Sequence, residues 1–252
     1  MNKWYFVFFA ALVFLFAANR LANALEGFNS NDRVISVKGF SEKEVKADLA
    51  IWNIQVKVAY AHLNDGNKIL LENRKQIIQF LIAKGIPKNE ISVSDLTVID
   101  LQTNEYQNNF KADARFIINE KIQVRSSQVE LVRDISRMTD ELLAAGVALS
   151  TKNDWQGAGL RFVFTKLNDI KPTMISDAIQ NGKKAAEQFA KDSDTELGEI
   201  RNANQGLFSI TERDDVGNAQ YDGGYQANNN DIFKKVRVVI SLDYNLKSNS
   251  WF

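Results

Sequence analysis

The sequence predicts an α+β fold: two βαββ units with helices packed on antiparallel sheets, preceded by an N-terminal apolar helix. Three observations predict it. Apolar residues recur with the period of two that marks half-buried strands. Between these runs lie stretches with the three-to-four-residue spacing of amphipathic helices. The order strand–helix–strand–strand then occurs twice, at about 49–125 and about 158–246. The halves share little residue identity, so the repeat is one of element order.

The stretch VISVKGFSEKEVKADLAIW, residues 34–52, predicts two strands joined around Gly39, with the glycine at a turn or strand end that needs positive φ. In the second strand Ala50, Trp52, Ile54, Val56, Val58 and Tyr60 form the apolar set and should face the core. A helix follows, with Leu70, Leu71, Ile77, Ile78, Leu81 and Ile82 on its apolar stripe, and Gly85 then Pro87 end it. The next strand, Ile91 to Leu101, slips phase between Val93 and Leu96, as a bulge requires. Residues 115–125 put Phe116, Ile118, Ile122 and Val124 on one face, after a long polar link, TNEYQNNFKAD. Ser127 and Glu130 read as a capping box opening a joining helix over 127–145, with Leu131, Ile135, Met138 and Leu142 on its stripe and Gly146 at its end.

The second unit opens with a strand carrying Leu160, Phe162 and Phe164. Asn168, Asp169 and Pro172 start a long helix through Met174, Ile175, Ile179 and Phe189. Its inner face carries Ala178, Gly182, Ala185 and Ala186, small residues that admit close approach to a sheet. A polar strand lies around Gly198–Ile210, and the loop TERDDVGNAQYDGGYQANNND leads to a last strand with Val236, Val238, Ile240, Leu242, Tyr244 and Leu246 on one face.

The N-terminus carries Lys3 and is apolar from Trp4 to Ala18, fifteen residues. As a helix these rise roughly 22 Å, short of the ~30 Å hydrocarbon core. With Ala22-Asn23-Ala24 as a small-residue cleavage site, the segment 1–28 predicts export as a secretory signal. The alternative retains residues 4–25 as an inner-membrane anchor, with Asn19 and Arg20 at the interface. Either way the domain at 32–246 and the tail at 247–252 lie on the periplasmic side of the envelope.

Composition excludes several chemistries. The 252 residues carry 31 basic and 31 acidic side chains, so there is no cationic excess of the kind that binds nucleic acid. The pairs Lys183–Lys184 and Lys234–Lys235 read as solvated faces. With no cysteine there are no disulfides, thiol nucleophiles, zinc–thiolate sites or iron–sulfur clusters. The one histidine, His62, cannot build a His-rich metal site, and Gly39 lacks the glycine-rich context of a phosphate loop. Asp214, Asp215 and Asp222 lie in a polar loop without an apolar frame to hold two carboxyls at fixed separation. No catalytic, cofactor-binding or metal site is therefore assigned. Most phenylalanines fall on predicted buried faces; Phe208, Tyr221, Tyr225, Phe233 and the terminal Trp251–Phe252 do not, and are candidate interface anchors.

The stretches DRVISVKGFSEKEVKADLAIW, GLRFVFTKLNDIKPTMISDAIQNGKKAAEQFA, LGEIRNANQGLFSI and KKVRVVISLDYNL, in this order, resemble the SIMPL domain family of bacterial envelope proteins. The resemblance covers about 32–246, and is greatest to members with an apolar N-terminal segment, which favours the anchor. It implies an exported, non-enzymatic protein without cofactor, linked to envelope stress physiology and assembling as a homo-oligomer. The alternative is a periplasmic module that holds a small ligand between its two units, and a hydrolase is the third reading.

Overall fold

The computed structural model describes residues 33–102, 114–150, 159–213 and 231–248, together with Phe14. The predicted cleavage site at residues 22–24 and the rest of the N-terminal segment lie outside the described residues. Among those residues, no helix is long and apolar enough to cross a membrane.

The fold is α+β, with two antiparallel sheets. The larger sheet is built around β2 (Leu49–Tyr60), whose core-facing set is as the alternation predicts: Ala50, Trp52, Ile54, Val56 and Val58 are all buried. On one side β2 pairs with β4 (Phe116–Ser126), and β3 (Ile91–Asp100) pairs with β4 in turn. On its other side β2 pairs with the two-residue β5 (Leu149–Ser150) and with β6 (Gly159–Val163). The second sheet has the order β1-β9-β7, from β1 (Val34–Lys46), β9 (Phe233–Ser248) and β7 (Thr195–Gln205), with β8 (Ser209–Glu212) also paired to β9. The second half departs from the expected repeat: the polar strand predicted around Gly198–Ile210 is two strands, β7 and β8, β6 joins the first sheet and β1 completes the second. Element order carries no information on which edge a strand joins.

Helix α1 (Leu63–Ala83) presses Leu70, Ile77 and Leu81 onto β2 and β4, leaving Leu71 and Ile82 exposed. Its end closes as predicted: Gly85 adopts φ +100, its N–H bonds the Ile82 carbonyl, and the Ile86 N–H reaches back to Leu81. The same pair of bonds, Gly146 to Leu143 and Val147 to Leu142, ends α3 (Asp140–Ala144).

The capping box does not form. Helix α2 (Val129–Ser136) has Gln128 at its cap without a side-chain bond, and the Ser126 hydroxyl accepts the Gln128 N–H instead. Glu130 turns away to pair with Lys46. The helix expected over 127–145 is therefore two short helices, α2 and α3, separated at Arg137–Thr139.

Gly39 is not a corner. It lies inside the continuous strand β1, and its φ is not among the positive ones; the chain turns at Ala47–Asp48. The glycine is needed for another reason. A Cβ there would stand 1.9 Å from the Ala178 carbonyl oxygen and 2.6 Å from the Gly182 nitrogen of α4 (Leu167–Asp192). Of the small residues expected on the inner face of α4, Ala178, Gly182 and Ala186 are buried and Ala185 is half-buried; Ala190 is buried as well, whereas Phe40 and Phe189 are exposed.

The described residues cluster into two compact units. One comprises residues 42–174 and 208–238 and holds the core built on β2, β4 and α1. The other takes the start of β1, most of α4, β7 and the end of β9, where Ile240, Leu242 and Tyr244 are buried.

Candidate functional site

Strand β3 forms an outer edge of its sheet, pairing with β4 among the described residues. Its predicted bulge is present: the register shifts between Ser94 and Thr97, with Asp95 at φ +54. The shift lets Val93 stand opposite Ile122 and Val98 opposite Ile118, so both valines lie on the core-side face. Yet Val93, Leu96 and Val98 are 42%, 58% and 46% exposed, because α1 packs over β2 and β4. An apolar edge strand is the most reactive surface a sheet offers, since its outer backbone groups await a partner.

Under that sheet lies a charge that the alternation concealed. Glu120 sits in phase with Ile118 and Ile122, is 2% exposed, and receives a bidentate contact from Arg74 of α1, Nε to Oε2 at 2.8 Å and Nη2 to Oε1. The carboxylate raises the already high pKa of the guanidinium. Lys234 is a second such case and corrects the solvated-face reading. It falls in phase with Val236 and Val238, is 3% exposed, and bonds Glu212 at 2.5 Å. Lys183 and Lys184 are exposed, as expected.

Four carboxylates are held in their charged form. The Arg115 guanidinium keeps Asp100 below the ordinary range, Lys46 does so for Glu130, and the Ser36 hydroxyl with the Asn202 amide does so for Asp243. Burial raises Asp48, but the N–H and hydroxyl of Thr165, each at 2.7 Å, more than offset it. Burial also pushes the Tyr244 phenol up. This is the chemistry of clamps between elements, in which carboxylates stay ionised and fixed. A general acid needs the reverse shift.

The candidates named from sequence are not brought together. His62 is exposed at the cap position of α1. Phe208 carries Lys171 over its ring at 5.8 Å, and the half-exposed Phe233 carries the Arg213 guanidinium at 5.3 Å. Arg213 also stands 3.8 Å from Asp231, so charged groups and an aromatic mark the neck of the hairpin between β8 and β9. Asp214, Asp215, Asp222, Tyr221, Tyr225, Trp251 and Phe252 lie outside the described residues. Among the described residues, no group of three or more His, Asp or Glu side chains is placed to hold a metal ion.

No curated protein matches the chain. Residues 35–241 match the family described as SIMPL, protein of unknown function (DUF541), a span that runs from β1 through most of β9. The chain belongs to the SIMPL (DUF541) family.

Proposed function

We propose that this protein is a non-enzymatic component of the bacterial cell envelope, exposed to the periplasm, that works through self-assembly or partner contacts in envelope stress physiology. The observation that carries the contact role is β3, an edge strand with three exposed large apolar side chains. Such a strand costs solubility unless something covers it. The charged groups support the non-enzymatic reading, since the shifted carboxylates serve as ionised clamps. The apolar N-terminal stretch after Lys3 supports export, with the segment retained as an inner-membrane anchor.

A membrane-impermeant amine crosslinker added to spheroplasts tests location and assembly together. The expected result is a ladder at multiples of the 28.5 kDa chain. A chain that reacts only after lysis contradicts the periplasmic assignment. A chain that reacts in spheroplasts but stays a single species contradicts self-assembly.

A further inference from the structure

Among the described residues the outer side of β3 is unpaired, and its two ends are complementary to each other. Val93 and Val98 lie five positions apart, which in a regular strand would put them on opposite faces. The bulge between Ser94 and Thr97 restores them to one face, opposite Ile122 and Ile118 of β4. Because Ile118 and Ile122 are themselves an even number of residues apart, both valines also turn their backbone groups toward the same side of the strand. Face and ladder phase therefore agree at the two ends of β3. The charge at the bulge is paired within the strand's own sheet, Lys121 Nζ lying 3.1 Å from Asp95 Oδ2, while the Asp95 side chain is 66% exposed.

We propose that a second copy of this chain docks on this edge, its β3 running antiparallel about a two-fold axis with Val98 opposite the second copy's Val93. The inference rests on the self-assembly reading and names its surface. In this register Val98 meets Val93 twice on the core-side face, and Thr97 meets Ser94 twice on the other. Apolar and hydroxyl cross-strand pairs of these kinds each favour pairing. Both bulges fall at the axis, so each strand carries its extra residue where the other does and the two stay in step. At the axis Leu96 of each copy, 58% exposed, falls opposite the other copy's Asp95, which stays beside its own Lys121. A slip of one residue would set the valines of one copy against the hydroxyl face of the other, which fixes the register.

The chain has no cysteine, so introduced thiols report this contact without background. Two differently tagged full-length chains, one Val93→Cys and one Val98→Cys, are co-expressed and oxidised. The proposed register brings these positions to a Cα separation of ~5 Å, inside the window for a disulfide. Like positions of the two copies stand roughly 15 Å apart along the strands, beyond that window. The expected result is a disulfide-linked dimer carrying both tags, with no dimer when either variant is expressed alone. Absence of the mixed dimer, or equal dimer from each variant alone, overturns the proposal. If the wild-type chain still gives its crosslinked ladder in that case, assembly uses another surface and the self-assembly reading stands. If the ladder is absent as well, both fail.

Discussion

Replacing Gly39 with alanine tests how β1 and α4 meet. The added Cβ would sit 1.9 Å from the Ala178 oxygen, 2.6 Å from the Gly182 nitrogen and 2.9 Å from the Gly182 Cα. All three are backbone atoms, so no side-chain rotation relieves the clash. Restoring ordinary contact from 1.9 Å to at least 3.4 Å requires about 1.5 Å of separation between strand and helix. A gap of that size strips dispersion contacts from the buried Val37, Ala178, Ala186 and Leu242. Overpacking costs about 1–3 kcal/mol where side chains can yield. Here they cannot, and ~3 kcal/mol or more is expected. Gly182→Ala is the internal control. Its nearest neighbour is the flexible end of Leu242 at 2.7 Å, with Gly39 backbone at 3.2 Å and beyond, and alanine gains roughly 1 kcal/mol of helix propensity. Urea unfolding followed by circular dichroism should show a large fall in midpoint for Gly39→Ala and a small one for Gly182→Ala. Gly39→Asn separates close contact from a positive-φ turn, because asparagine tolerates the turn and would worsen the contact. Equal midpoints for Gly39→Ala and wild type, or an asparagine variant more stable than the alanine one, would refute the reasoning.

Other outcomes follow from the buried charges and the clamps. Arg74→Met strands the Glu120 carboxylate beneath the sheet and should cost about 3–5 kcal/mol in denaturant unfolding, whereas Arg74→Met with Glu120→Leu should recover most of it. A double variant no more stable than the single one would show that the pair is not the cause. Asp48 is held ionised in the folded chain below its ordinary value, so its contribution is present above the unfolded pKa and is lost as pH falls through the folded one. Asp48→Asn should therefore lower stability by about 1 kcal/mol at pH 7 and narrow the wild-type advantage in acid; an advantage unchanged by pH would contradict the clamp.

Local signals were legible, and contacts between distant segments were not. The glycine stops at Gly85 and Gly146 read correctly because both bonds of each motif fall within six residues of chain. The bulge in β3 showed as a phase slip, since alternation records the pleat directly. Glu120 and Lys234 were missed, although each sits at a core-phase position where a charge demands a partner. Their partners, Arg74 and Glu212, come from other elements, which period alone cannot name. The failed capping box has the same cause, because Lys46 of β1 outbids the helix end for Glu130. Gly39 was misread because a glycine chosen for close approach looks in sequence like one chosen for a turn. The exposed side of β3 was hidden for a related reason, since alternation marks a core-side face without saying how far a helix covers it.

The most direct measurement of self-assembly is the protein mass of the full-length chain in mild detergent, by light scattering after size exclusion, across a range of loading concentrations. Self-assembly predicts a particle of two or more 28.5 kDa chains that loses mass on dilution. A protein mass of one chain at every concentration would contradict it.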